Sequence, residues 1–167
     1  MELVNQFTAE HVENRPLFQL LLNTMHHLCQ PGDKELTLRY FELHLLNEVG
    51  YRPQLNECVA CHRALRPVTN SFSPSAGGVL CPDCSPGEGL AYSISVNALK
   101  VLRLLQSSQY ETVSRLRIDP GLSRELEAAM RAYIRYLLER EVKAALWLDT
   151  LRATGQNKPP QRQLALL

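Results

Sequence analysis

Four of the chain's five cysteines fall in two Cys-x-x-Cys pairs, Cys58/Cys61 and Cys81/Cys84, separated by nineteen residues. No other feature constrains the fold as tightly. A Cys-x-x-Cys turn aims two sulfurs at one point, and a second such turn completes a tetrahedron, the arrangement that zinc favours. The spacer falls within the roughly 15–20 residues usual between such turns. It leaves room for a short hairpin, with Ser75–Gly78 as its turn. Four thiolates close the coordination shell, whereas catalytic zinc keeps one position open, so the predicted ion is structural. It stands in for a hydrophobic core that so short a segment is too small to build. A thioredoxin-like redox pair would need a βαβ context, which is missing here. Iron in a rubredoxin-like site would favour glycine after each second cysteine, where this chain has His62 and Ser85. His62 is a competing ligand, but four sulfurs already fill the shell.

The rest of the sequence reads as helices. With 167 residues, 45% hydrophobic and 21% charged, the chain suits one compact domain with a small subdomain. Its net charge of +1 gives no global basic field, so any nucleic-acid contact must come from a local patch. No run approaches the roughly 18 apolar residues of a membrane span, and no membrane role is expected. The opening MELVNQFTAEHVENR lacks the pattern of a secretory signal. A cytosolic setting is therefore expected, and there paired cysteines favour metal over disulfides. Cys29 sits apart, on a helical pattern, and is expected to be a buried small hydrophobe.

Residues 1–54 are read as the first half of a helical part, 55–91 as the zinc ribbon, 92–155 as the second helical half, and 156–167 as a disordered tail. MELVNQFT resembles the end of a helix. Asn14 can cap the next one, with Pro16 in its first turn and Phe18, Leu21, Leu22, Met25 and Cys29 as its core face. A further helix runs from about Asp33 to Gly50, with two apolar rows, Leu36/Tyr40/Leu43/Asn47 and Phe41/Leu45/Val49. Such width predicts burial against more than one neighbour. Short β-like pieces are expected at Ser71–Ser73 and Gly78–Leu80. Helices resume after a cap at Ser93 or Ser95, with Leu99, Leu102 and Leu105 inward. Pro120 is expected to close a short turn or helix. The longest helix follows, roughly Leu122–Arg152, with Leu122, Leu126, Ala129, Tyr133, Leu137 and Ala144 as its stripe. Met130, Ile134, Leu138, Val142 and Ala145 widen that stripe. The fold class is thus mainly α: a helical bundle interrupted by a four-cysteine zinc ribbon.

Three stretches together resemble the bacterial recombination mediator family RecO. LTLRYFELHLLNEVGYRPQLNECVACHRAL places a Gly-Tyr-x-Pro-x-Leu lead directly ahead of the first cysteine pair. FSPSAGGVLCPDC is similar to the family's metal hairpin, and YIRYLLEREVKAALWLDTL to its closing helix. The likeness covers most of residues 1–155. It implies a non-enzymatic role in recombinational repair: binding and annealing single-stranded DNA, contacting single-strand-binding protein and RecR, and helping to load RecA. It also implies a bacterial cytoplasmic, nucleoid-associated location. The family begins with an oligonucleotide-binding barrel that does not precede Met1 here, so DNA binding by this chain alone is expected to be weak.

One surface stands out on the last helix. Tyr136, Arg140, Lys143 and Trp147 recur at steps of four, three and four, and Arg131 and Arg135 lie a turn earlier. Basic groups interleaved with aromatics suit an acidic peptide, such as the C-terminal tail of single-strand-binding protein, or a nucleic-acid strand. The same residues also fit a solvated face held by Glu127–Arg131 and Glu139–Lys143 pairs. Arg63 and Arg66 are placed to offset the negative charge of a four-thiolate centre, and His26 and His27 read as surface residues. No phosphate loop, nucleophile elbow or paired-carboxylate motif stands out. A nucleic-acid-binding zinc ribbon of another pathway, such as transcription, is the alternative, and a metal-dependent enzyme is disfavoured by the closed shell.

Overall fold

A computed structural model of the chain describes residues 2–7 and 13–155. The order is α1 (Glu2–Phe7), α2 (Arg15–Cys29), α3 (Lys34–Glu48), β1 (Asn70–Ser73), β2 (Gly78–Leu80), β3 (Tyr92–Ile94), α4 (Val96–Ser107), α5 (Tyr110–Val113) and α6 (Pro120–Gly155). The molecule is mainly helical, with one small sheet. The tail 156–167, expected to be disordered, lies outside the described residues.

Side-chain caps set the helix starts. Asn14 accepts from the Leu17 amide at 3.0 Å, Asp33 from Leu36 at 3.0 Å, and Ser95 from Ala98 at 3.1 Å. Each satisfies an amide that the first turn leaves without a partner, a contribution of about 1 kcal/mol. Past the end of α3, Gly50 takes φ +83°, the left-handed stop expected of it. Pro120 does the opposite of what its sequence position suggested. It opens α6 rather than closing the segment before it, because a first-turn residue needs no amide hydrogen. Asp119 caps that turn, accepting from Gly121 and Leu122 at 2.8 and 3.0 Å.

Helix α3 lies between two cores, as its double stripe predicts. Leu36, Leu43 and Leu46 face the main core with Leu99, Leu102 and Leu105 of α4 and Leu126, Met130, Tyr133 and Leu137 of α6. Phe41 and Leu45 face the other way, toward Leu17 of α2 and toward α1. Asn47 at the end of the first row is exposed.

Two expected stripes are corrected. On α2 the inward row is Leu17, Leu20, Leu21 and Thr24, while Phe18, Leu22 and Met25 are 62, 48 and 54% exposed. Cys29, expected to be buried, is exposed as well. Apolar spacing marks a face but not its phase. Thr24 can turn inward because its hydroxyl donates to the Leu20 carbonyl at 2.7 Å. On α6 the stripe holds from Leu122 to Leu138 and then stops. Val142 and Ala144 are exposed, as is every described side chain beyond Leu138; the Ala145 side chain lies outside the described residues.

The sheet has the order β2–β1–β3, all antiparallel. Phe72 is the pivot. It pairs with Val79 on one side and Tyr92 on the other, and its ring meets Tyr133 of α6 edge-on at 5.6 Å. Phe72, Val79 and Leu55 belong to the main core, so the cysteine-bearing segment is built into the helical body. Strand β3 had no sequence signal beyond three residues leading into a helix cap.

Candidate metal centre

The two Cys-x-x-Cys turns are built alike. In the first, the His62 amide donates to the Cys58 carbonyl at 2.8 Å; in the second, Ser85 donates to Cys81 at 3.1 Å. The second turn follows directly from β2. The first is tied to the same strand, with Val59 donating to the Val79 carbonyl at 2.9 Å and Val79 to Gln54 at 3.0 Å. One strand therefore carries both pairs and sets their separation.

The result is one cluster. The Sγ atoms of Cys58, Cys61, Cys81 and Cys84 all lie within 4.8 Å of one another, and Cys61 and Cys81 are 3.9 Å apart. A disulfide would need about 2.05 Å. A tetrahedron with metal–sulfur bonds near 2.3 Å has edges of about 3.8 Å, which the measured separation matches. Cys58 and Cys81 are buried and the other two half-exposed.

The surroundings favour thiolates. Arg63 Nε donates to Cys61 Sγ at 3.3 Å, and that contact leads in bringing the Cys61 thiol down to about 6. Burial pushes the Cys58 thiol up, but amide hydrogens from Cys81, Cys61 and Ala60 outweigh it and lower it. The Cys81 amide lies 3.3 Å from Cys58 Sγ. Cys84 is pushed up to about 12 by its hydrogen bonds with the sulfurs of Cys81 and then Cys61. Four sulfurs thus share a space in which not all can be anionic without a cation among them, and the donor set fits a closed tetrahedral ion. Arg63 and Arg66 both reach Asp83, at 3.3 and 4.0 Å, so the cations expected beside the centre are held there.

His62 is not one of the four. It is exposed and sits at φ +58°, a left-handed position that favours glycine. That conformation costs a non-glycine residue roughly 1–2 kcal/mol, so His62→Gly should stabilise the ribbon by about 0.5–1 kcal/mol after the entropy cost of glycine. Thermal unfolding of the metal-loaded variant checks this; an unchanged or lower midpoint would show that the turn carries no strain.

The basic and aromatic residues of α6 divide into two groups. Arg131, Arg135 and Tyr136 line a groove of about 480 Å³ between α6 and the ribbon side of the molecule. Arg140, Lys143 and Trp147 sit on the exposed end of α6 and do not line it. Opposite α6 the groove is walled by Pro74, Leu90 and Tyr92, and Arg124 adds a third arginine. Leu90 and Tyr92 are 52 and 49% exposed. Sequence reasoning missed these wall residues because they lie on turns and a three-residue strand, where no periodicity marks them. The Glu127–Arg131 pair expected on the helix surface is present.

A helical domain into which a four-cysteine ribbon able to hold a metal ion is folded is the class that this architecture and site define. The family model described as "Recombination protein O C terminal" matches residues 1–145. The chain belongs to this family, RecO. It is 45% identical over 151 residues to the DNA repair protein RecO of Dehalococcoides mccartyi, covering 90% of this chain and 59% of that protein. To the RecO of a Roseiflexus species it is 45% identical over 159 residues, 95% of this chain and 56% of the relative. The Desulforamulus reducens protein of the same name shares 35% over 150 residues, 90% and 58% of the two chains. The chain thus spans less than three fifths of the length of these relatives. Among the described residues, no helix is long and apolar enough to cross a membrane.

Proposed function

We propose that this chain is the helical and metal-binding part of a non-enzymatic recombination mediator acting in bacterial DNA repair, in the cytoplasm and at the nucleoid. Membership of the RecO family carries this reading. The ion is zinc, one per chain, held by Cys58, Cys61, Cys81 and Cys84 in a structural role. Its partners are single-strand-binding protein, RecR and single-stranded DNA, which together serve annealing and RecA loading. DNA binding by this chain alone is weak and falls steeply with salt, because a net charge of +1 leaves only local basic patches.

The groove beside α6 is the site for the acidic, apolar C-terminal tail of single-strand-binding protein. Such a tail needs cations for its carboxylates and an apolar recess for its last side chain. Arg124, Arg131 and Arg135 supply the first, and Leu90, Tyr92 and Tyr136 the second. Arg140 and Lys143 lie off the groove and act at most as long-range attraction.

The groove predicts an unequal response to charge reversal. Arg135→Glu should weaken a labelled tail peptide roughly tenfold at low salt, whereas Arg140→Glu should change its affinity less than about twofold. Fluorescence titration of the peptide against both variants decides it. Equal effects would move the site off the groove, and no binding by the unaltered chain would remove the tail from its ligands.

A further inference from the structure

The outer face of α2 is apolar and uncovered among the described residues. Its inner row, Leu17, Leu20 and Leu21, packs on α3 and α1, but Phe18, Leu22, Met25 and Cys29 are exposed. These four recur at steps of four, three and four, the spacing of a seam that packs helix against helix. Apolar side chains exposed singly are ordinary, whereas a continuous row of four along one helix marks a contact surface.

The chemistry of the face narrows its partner. From Pro16 to Gly32, seventeen residues, the chain carries no Lys, Arg, Asp or Glu. A nucleic-acid strand needs cations along its path, and an acidic peptide needs them for its carboxylates, so neither suits this face. The polar neighbours on its exposed flank are Gln19, Asn23 and His26, and Gln19 donates to Asn23 at 2.9 Å. Charge is confined to the two ends, with Glu13 and Arg15 before the row and Asp33 and Lys34 after it.

The row is its own complement. Reversed about its midpoint, between Asn23 and Thr24, Phe18 exchanges with Cys29 and Leu22 with Met25. Two α2 helices laid antiparallel therefore set large Phe18 against small Cys29 at each end and Leu22 against Met25 in the middle. The same reversal brings Arg15 to the end that carries Asp33, and Glu13 to the end that carries Lys34. A parallel pair would oppose like charges instead. Arg15 also sits at the N-terminus of its own helix, where a cation is disfavoured, and the first turn holds no acid. Antiparallel packing puts it beside the C-terminus of the other helix, where a cation is favoured.

We propose that this face is a self-association surface, through which two copies of the chain pair by antiparallel, two-fold-related α2 helices. Helix α3 lies between α2 and the core that holds α6, so the pair keeps both α6 grooves open and presents two at once. The seam runs only about 16 Å along the helix, and the area it covers falls below the roughly 800 Å² per partner of a stable complex. Pairing is accordingly reversible, with a Kd on the order of 50 µM.

Sedimentation equilibrium of the full metal-loaded chain, from about 5 to about 500 µM, spans that affinity and tests it. The average mass of the unaltered chain should rise from that of one copy toward that of two. Leu22→Glu and Met25→Lys should each stay single, with helix and metal content measured alongside. An equimolar mixture of the two variants should pair again, because antiparallel packing sets position 22 of one against position 25 of the other. Cys29 gives a second reading on the unaltered chain: pairing covers it, so its alkylation should slow roughly fivefold across the same range. A mass that stays at one copy throughout overturns the pairing. Variants that pair as the unaltered chain does place the contact off α2 and also overturn it. Single variants whose mixture stays single exclude the antiparallel arrangement and overturn it too. Should a variant fail to fold, an unchanged alkylation rate at Cys29 while the mass rises still overturns the proposal.

Discussion

Cys81→Ser should strip the ion from the protein and lower its thermal midpoint by on the order of 10 °C, with most helical signal surviving at room temperature. Serine replaces a thiolate by a poor ligand, and three remaining sulfurs cannot close a tetrahedral shell. Because Cys81 continues directly from β2, the second Cys-x-x-Cys turn loses its anchor and the strand loses its end. The effect reaches the body because Phe72 and Val79 of the sheet lie in the main core with α4 and α6. Loosening even one such side chain costs about 2–4 kcal/mol, which in a chain of this size is worth on the order of 10 °C. The helices keep α3 against α4 and α6 as an independent source of burial. Elemental analysis and circular dichroism together check the outcome. Stoichiometric metal in the purified variant, or an unchanged midpoint, would overturn the assignment of Cys81 as a ligand.

Gly78→Ala should be nearly as damaging, although Gly78 touches no sulfur. A Cβ there would lie 2.4 Å from the Gln54 carbonyl oxygen and 2.8 Å from Val59 Cγ1. The first neighbour is backbone and cannot swing aside. Gln54 must retreat, and with it the bond from Val79 to Gln54 and the one from Val59 to Val79 that holds the first cysteine turn to β2. Overpacking of this kind costs about 1–3 kcal/mol in stability. The metal should feel it too, since Cys58 and Cys61 move relative to Cys81 and Cys84. Competition with a chelating dye should show affinity down by at least about tenfold, because a separation change of a few tenths of an ångström is already outside tolerance for the shell. At the adjacent Gly77 the added carbon would meet only Tyr133 Oη at 3.7 Å, so alanine there carries a backbone cost from φ +74° and leaves the metal alone. If both alanine variants hold metal equally well, the close approach at Gly78 does not set the spacing of the two cysteine pairs.

Much of the site was legible because covalent spacing constrains it. Two Cys-x-x-Cys pairs and a spacer of hairpin length leave few ways to place four sulfurs other than around one ion. The cap at Asn14 and the stop at Gly50 were readable for the same reason, since each acts within four residues of its own position; Asp33 was legible only as the approximate start of its helix, and Ser95 only as one of two serines able to cap the next. The groove was not. Tyr92 becomes its wall only because β3 pairs with β1 and lies against α6, and Leu90 comes with it on the turn that leads into the strand. The six α6 residues singled out at helical steps share a helix surface, but that surface passes from a walled groove to open solvent beyond Leu138.

By itself the sequence determined the helical class, the four-sulfur centre, the cap at Asn14, and the double-sided burial of α3. These follow from local rules: hydrogen-bond needs of a first turn, helical period, and ligand geometry. Tertiary structure alone decided which row of α2 faces inward, leaving Phe18, Met25 and Cys29 outside, and where the stripe of α6 stops being buried. A helix carries its apolar pattern in its own residues, but burial is a property of the neighbour that covers it, and that neighbour is brought in by contacts far apart in the chain.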